Sequence, residues 1–345
     1  MKIFICANIQ EVPVKEKWFS KKVCKDLKRK KIEFGFEIKG PIDGCDKISY
    51  PFGIHLPGSF ANRWQKEGEI IKGDLLRMLE PVSYLHYQPL YVVLHGLRVN
   101  KDNAKTEGFI SDASAEDYLL AFKRIVKLVE EMLNLRVPAA VENVAITNFA
   151  KQGDLWLPRT YLDLRTPTLV SDMLMIKKET GCQLVLDIGH LGFTANLAKR
   201  ELNYETLKKE IPNRLSRKEL EVYLKHKIFL RKGRIPVFHR FRILKEVQKP
   251  DLNIFHVAGC SADGKFREIK NLGREKVVSS HDAIEDNDFF RMLIKTILKK
   301  KDVIIVVEVS EPDSSLCYKY RPAGVEERSF ETLCHIINEE LSARE

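Results

Sequence analysis

Val303-Ile304-Ile305-Val306-Val307-Glu308-Val309 is the most telling stretch of the chain. Its apolar run, 303–307, is the longest present and falls far short of the ~18–20 residues a membrane span needs. It reads as a buried strand. A carboxylate is costly to bury unpaired, so Glu308 at the end of such a strand calls for a partner. Working outward, the same unit recurs at 2–7, 32–38, 53–56, 91–95, 139–144, 183–188 and 253–257. Each is a short β-branched or aromatic run, and most are followed by an amphipathic, Lys/Glu-rich stretch. The stretch 116–133 carries Leu119, Leu120, Phe122, Ile125, Val126, Leu128, Val129, Met132 and Leu133 at a helical period, with Ser114 as N-cap and Asp117 three residues on. Residues 289–298 read likewise, with Phe289, Phe290, Leu293, Ile294 and Ile297 facing inward. Eight strands interleaved with helices predict an α/β fold, a (β/α)8 TIM barrel. The rival, an open doubly wound sheet, lacks any GxGxxG or GxxxxGK(S/T) loop after a strand.

Composition narrows the function classes. Hydrophobic residues make up 44% of the 345, which excludes wholesale disorder. The N-terminal Met1-Lys2-Ile3-Phe4-Ile5-Cys6 is too short for a secretory signal, so a cytoplasmic protein with no membrane partner is expected. The 7 cysteines include no CxxC pair, which argues against a zinc knuckle or a disulfide framework.

The net charge of +10 is localised. Residues 199–250 hold 16 Lys/Arg against 6 Glu, and the remainder is neutral. This segment lies between the sixth and seventh strands and exceeds a normal connection. Residues 203–209 and 216–228 have helical patterns, and Gly233-Arg234-Ile235-Pro236 is a break. The expected organisation is therefore a barrel from 1–198 and 251–345, with 199–250 as an inserted, basic, mostly helical lobe or lid. Within it Arg231, Lys232, Arg234, Arg240 and Arg242 are interleaved with Phe229, Phe238 and Phe241. Such a mix can clamp a phosphate and stack on a ring or base; it can equally be an amphipathic element docked on the barrel. Nucleic acid enters the list of partners through this segment.

The strand ends carry the chemistry. His55, His95, Glu142, Asp187 with His190, His256 and Glu308 close successive strands from the third to the eighth, and His281 precedes the eighth. All C-terminal strand ends of a barrel converge on one mouth. Histidine and carboxylate together are ligands for zinc, manganese or iron, and a carboxylate bridging two ions can activate water. His86, His226, His239, His335 and Cys260 are left structural.

In this order, with Glu142-Asn143, Asp187-x-x-His190 and the pair His256 and His281, the set resembles the xylose isomerase-like TIM-barrel superfamily. Within it, endonuclease IV (AP endonuclease family 2) and the sugar phosphate isomerases and epimerases are similar. The endonuclease IV-like resemblance implies a first metal on His55, His95 and Glu142, bridged by Glu142 to a second on Asp187, His256 and Glu308. His190 and His281 would serve a third, but Ser279 stands where that family has an aspartate. Two or three divalent ions are implied, with a metal-activated water attacking a phosphoester and Glu142, Glu308 and His190 as catalytic residues. The isomerase-like resemblance implies one metal on Glu142, Asp187, His256 and Glu308, with Glu142 and Glu308 as an acid/base pair. His190 would then contact a sugar-like substrate. The expected enzyme is a metal-dependent hydrolase of phosphoesters, with the isomerase or epimerase as the alternative. Oxidative chemistry at iron and a barrel that has lost its activity are further readings of the same residues.

Overall fold

The structure, a computed structural model, describes residues 2–9, 16–39, 50–56, 89–95, 115–132, 137–143, 149–152, 155–158, 170–191, 240–259, 281, 283–309 and 323–344. Eight of its strands are parallel: β1 (Ile3–Ile9), β2 (Ile32–Lys39), β3 (Phe52–His55), β4 (Val92–His95), β5 (Ala139–Glu142), β8 (Gln183–Asp187), β9 (Ile254–Val257) and β10 (Val303–Val307). β6 (Phe149–Gln152) and β7 (Leu155–Pro158) form a separate antiparallel hairpin after β5. The barrel closes because Ile3 of β1 pairs with both Ile32 of β2 and Val303 of β10, giving the order β1-β10-β9-β8-β5-β4-β3-β2. The chain is a (β/α)8 TIM barrel, and each expected strand lies within a few residues of an observed one.

Six helices are described: α1 (Lys22–Arg29), α2 (Ala115–Met132), α3 (Val170–Thr180), α4 (Arg240–Val247), α5 (Asp288–Ile297) and α6 (Val325–Ser342). Two of their ends set strand positions. α3 stops at Gly181, whose φ of 78° is the left-handed conformation that glycine adopts at low cost. Its N–H bonds Lys177 O at 2.8 Å, and β8 starts two residues later. α5 begins where the Asn287 side chain accepts from Phe290 N at 2.9 Å.

Two apolar layers result from the alternation of side chains along each strand. The outer layer lies between strands and helices. There Phe34 and Phe36 of β2, Phe19 from a 3-10 turn (Glu16–Ser20), Tyr50 and Phe330 of α6 pack with ring centroids 5.0–6.2 Å apart. The inner layer plugs the barrel with Tyr91, Val93, Ala140, Val185 and Ile254. Above it, on the same inward-facing register of β2, come Glu37 and Lys39.

The expected insertion is partly described. Residues 199–239 lie outside the described residues, and with them the segments 203–209 and 216–228. Residues 240–250 begin with α4, whose Ile243 and Val247 are buried in the outer layer and which packs against α5. α4 directly precedes β9 in the chain. Among the described residues, no helix is long and apolar enough to cross a membrane.

Phe330 is fully buried and touches rings from the 3-10 turn and β2. Phe330→Ala should cost about 3–5 kcal/mol of stability by removing contacts that join α6 to the first strands. Urea unfolding of the purified variant measures this, and a loss below about 1 kcal/mol would mean that this cluster does not hold α6 to the barrel.

Candidate metal centre

Strand register brings the polar residues together. In a parallel ladder, paired residues share a face, and Lys39 pairs with His55, His95 with Glu142, and Asp187 with His256. Each pair sits at or near the C-terminal end of its strands, facing the barrel axis. His55, His95, Glu142, Asp187, His190, His256, His281 and Glu308, all expected from sequence, meet at this mouth.

Glu142 is the hub. It is wholly buried, and His55 Nε2 and His95 Nε2 lie 3.2 Å and 2.9 Å from its Oε2. His256 Nδ1 donates to its Oε1 at 2.8 Å. The rings of His55 and His95 stand edge to face, 4.8 Å apart, with their Nε2 atoms separated by 3.3 Å. Burial alone would raise the Glu142 carboxyl, but His256, His55 and His95 outweigh it and hold it well below the usual carboxylate range.

A second group forms around Asp187. Its Oδ1 accepts from His190 N at 2.6 Å, capping the helical turn that starts at Ile188 and aiming Oδ2 at the centre. Asn143, next after Glu142, clamps β5 to β8: its Oδ1 accepts from Asp187 N at 2.6 Å and its Nδ2 donates to Asp187 O at 3.0 Å. The Asn143 carbonyl in turn accepts from His190 Nδ1 at 2.8 Å. His281 Nε2 lies 3.5 Å from Asp187 Oδ2 and 3.7 Å from Glu308 Oε1, so it joins the two groups. Burial pushes the Asp187 carboxyl up.

Three charged or polar partners come from outside the expected set. Lys39 pairs through Nζ with Glu308 Oε1. Against the burial that would raise it, Lys39 and His256 hold the Glu308 carboxyl well below its usual range. Glu37, also wholly buried, accepts from His256 Nε2 at 2.9 Å and from the Tyr91 hydroxyl at 2.8 Å. Each left a signal in the sequence. Glu37 and Lys39 follow Glu33 at period-two positions of β2, on the face opposite Phe34, Phe36 and Ile38, and Tyr91 directly precedes a buried strand.

The donor set fits a divalent cation. The ligand atoms of His55, Glu142, His256 and Glu308 lie within 4.8 Å of one another, as do those of Asp187, His190 and His281. Asp187 Oδ2 and Glu308 Oε2 are buried without a hydrogen-bond donor. Glu308 Oε2 is 2.6 Å from His256 Nδ1, but the single N–H there is directed at Glu142. Four buried carboxylates converging with one lysine leave negative charge that imidazoles offset only when protonated. Accordingly, Glu37, Glu308 and Glu142 outweigh burial to raise His256 well above its ordinary value, and Glu308 and Asp187 raise His281.

The remaining expected residues contribute nothing at this mouth that can be described. Arg231, Lys232, Arg234 and Ser279 lie outside the described residues, as do the side chains of Arg240 and Arg242 in α4.

No family model and no curated protein matches this sequence. Among solved structures, D-psicose 3-epimerase with D-tagatose from Clostridium cellulolyticum H10 aligns over 99% of this chain and 98% of its own, at 10% identity and a TM-score of 0.47. A xylose isomerase-like TIM barrel protein from Mycobacterium smegmatis in complex with magnesium aligns over 98% and 97%, at 11% identity and a TM-score of 0.46. The likeness is one of chain path, and the chemistry rests on the side chains above.

The raised histidines and depressed glutamates fix the sign of a pH response in the metal-free protein. A histidine whose folded pKa is raised stabilises fully below about pH 6.5 and loses that contribution as pH rises through the folded value. A glutamate whose folded pKa is depressed stabilises above about pH 4.5 and loses its contribution as pH falls through the folded value. Chelator-treated protein should therefore show a urea midpoint that falls on both sides of pH 4.5–6.5, with the alkaline limb flattened in His256→Gln. A midpoint that rises steadily from pH 6.5 to 9 would contradict this assignment of charge.

Proposed function

We propose that the protein is a divalent-metal-dependent isomerase or epimerase acting on a sugar-like polyhydroxy carbonyl compound. The observation that carries this reading is the meeting at one mouth of two adjoining buried groups, His55, Glu142, His256 and Glu308 beside Asp187, His190 and His281, with His281 between Asp187 and Glu308. In this reading Glu142, Asp187, His256 and Glu308 hold a single ion, which when bound supplies Lewis-acid polarisation of a carbonyl and its neighbouring hydroxyl. Glu142 and Glu308 come from β5 and the end of β10, three strands apart in the barrel. Both carboxylates face the same mouth, within reach of His256 Nδ1. One carboxylate takes the proton beside the carbonyl, and the other, or the same one on a second face, returns it.

The surrounding residues serve that exchange. His55 and His95 brace Glu142 Oε2, so its basic oxygen stays oriented. Lys39 keeps Glu308 ionised and ready to accept a proton. His190, anchored by the Asn143 carbonyl, faces the mouth as a substrate contact. The endonuclease IV-like hydrolase draws on the basic segment and on position 279, which lie largely or wholly outside the described residues, whereas the isomerase draws on described side chains. The metal, whether zinc, manganese, iron or magnesium, is selected by availability as much as by this ligand set.

Incubation with a panel of ketoses and aldoses in deuterated water should place deuterium on the carbon next to the carbonyl. Chelation should abolish the incorporation, and a divalent metal should restore it. Glu142→Gln and Glu308→Gln should each lower the rate about 10²–10⁴-fold. Absence of label across the panel, together with release of phosphate or strand cleavage from phosphoesters, would replace the isomerase by the hydrolase.

A further inference from the structure

Beneath the mouth, Glu37 crosses the barrel interior from β2 to β9 and meets His256. Its Oε2 takes two donors, His256 Nε2 at 2.9 Å and the Tyr91 hydroxyl at 2.8 Å. Glu37, Tyr91 and His256 are each wholly buried, so water does not supply these bonds. Tyr91 has room because of Gly53: a Cβ there would lie 2.5 Å from the Tyr91 ring. A buried carboxylate in the middle of a barrel is expensive, and neither fold closure nor the apolar plug needs one.

We infer that Glu37 is a positioning residue that, with Tyr91, fixes the proton of His256 on Nε2 and so presents Nδ1 to the metal. The inference rests on the metal-dependent reading above. An imidazole offers a metal one nitrogen only if the other keeps its proton, and the acceptor facing that other nitrogen decides which. A metal on Nδ1 takes the place of the proton that Nδ1 directs at Glu142, whereas Nε2 keeps its own against Glu37. Nδ1 faces Glu142 Oε1 and Glu308 Oε2, at 2.8 Å and 2.6 Å, and Nε2 faces Glu37 alone among the carboxylates. Tyr91 donates to the same oxygen and stops Glu37 from turning away. Glu37 touches neither substrate nor metal; it acts through the ring.

The test uses Cd²⁺ alone on the full chain labelled with ¹⁵N-histidine. In the parent protein, ¹¹³Cd–¹⁵N coupling should place the ion on His256 Nδ1 and a proton on Nε2. Glu37→Gln keeps an acceptor without the charge, so the coupling should persist while affinity for Cd²⁺, read by calorimetry, falls about 10-fold. Glu37→Met removes the acceptor, so Nδ1 coupling should be lost or mixed and affinity should fall about 100-fold. A Met variant that folds, retains Nδ1 coupling and binds within twofold of the parent overturns the inference. Should Glu37→Met fail to fold, Glu37→Gln decides: binding within twofold of the parent overturns the inference, and a 10-fold loss with retained coupling upholds it. A parent protein that binds no Cd²⁺ overturns the metal centre and this inference with it, whereas binding that ignores Glu37 overturns the inference alone.

Discussion

Burying Glu142 among three imidazoles is the constraint on which the rest of this site depends. An ionised carboxylate inside a barrel carries a desolvation cost of several kcal/mol that hydrogen-bond donors or cations must offset. His55, His95 and His256 meet that demand from three different strands. Their strands must then hold register to within a fraction of a residue, because a slip by one residue turns each side chain to the helix layer. The closed ladder enforces this, and the aromatic packing behind β2 and the plug beneath the mouth keep the ladder from shifting.

The same constraint explains why much of the fold could be read in advance. Barrel strands are buried on both faces, so they appear as short, almost continuous apolar runs, and a polar residue at the end of one stands out. That contrast made His55, His95, Glu142, Asp187, His256 and Glu308 visible. It is weaker for Glu37 and Lys39, which fall inside and just beyond the expected strand 32–38, where Glu33 already breaks the apolar run. The β6–β7 hairpin carries a fainter mark, Gly153-Asp154 ahead of the apolar Leu155-Trp156-Leu157. Charge does not bound the basic segment sharply either, because α4 is basic in sequence and still buries Ile243 and Val247.

Function is less legible than fold for a reason rooted in the ligand set. Histidine and carboxylate at the ends of successive barrel strands describe a metal-dependent hydrolase and a metal-dependent isomerase equally well. What separates the two is the number of ions and the fate of the carboxylates, and both depend on hydrogen bonds that sequence order does not reveal. Glu308 shows this. As a strand-end residue it is one more ligand; beside Lys39 it is a carboxylate held ionised by a lysine as well as by any metal. A carboxylate with a cation of its own is held ionised whether or not a metal is bound beside it.

The distribution of partners around the centre extends that distinction. Glu142 is gripped at both oxygens by imidazoles, whereas Glu308 has Lys39 on one oxygen and no hydrogen-bond donor on the other. Two carboxylates chemically alike in sequence are thus unlike in constraint. Glu142 is fixed in place, and Glu308 keeps an oxygen free of hydrogen bonds. In the isomerase proposed above, both carboxylates exchange a proton with a carbon atom, and they bring unlike surroundings to it: Glu142 is held by imidazoles, and Glu308 stands beside half-buried Lys39.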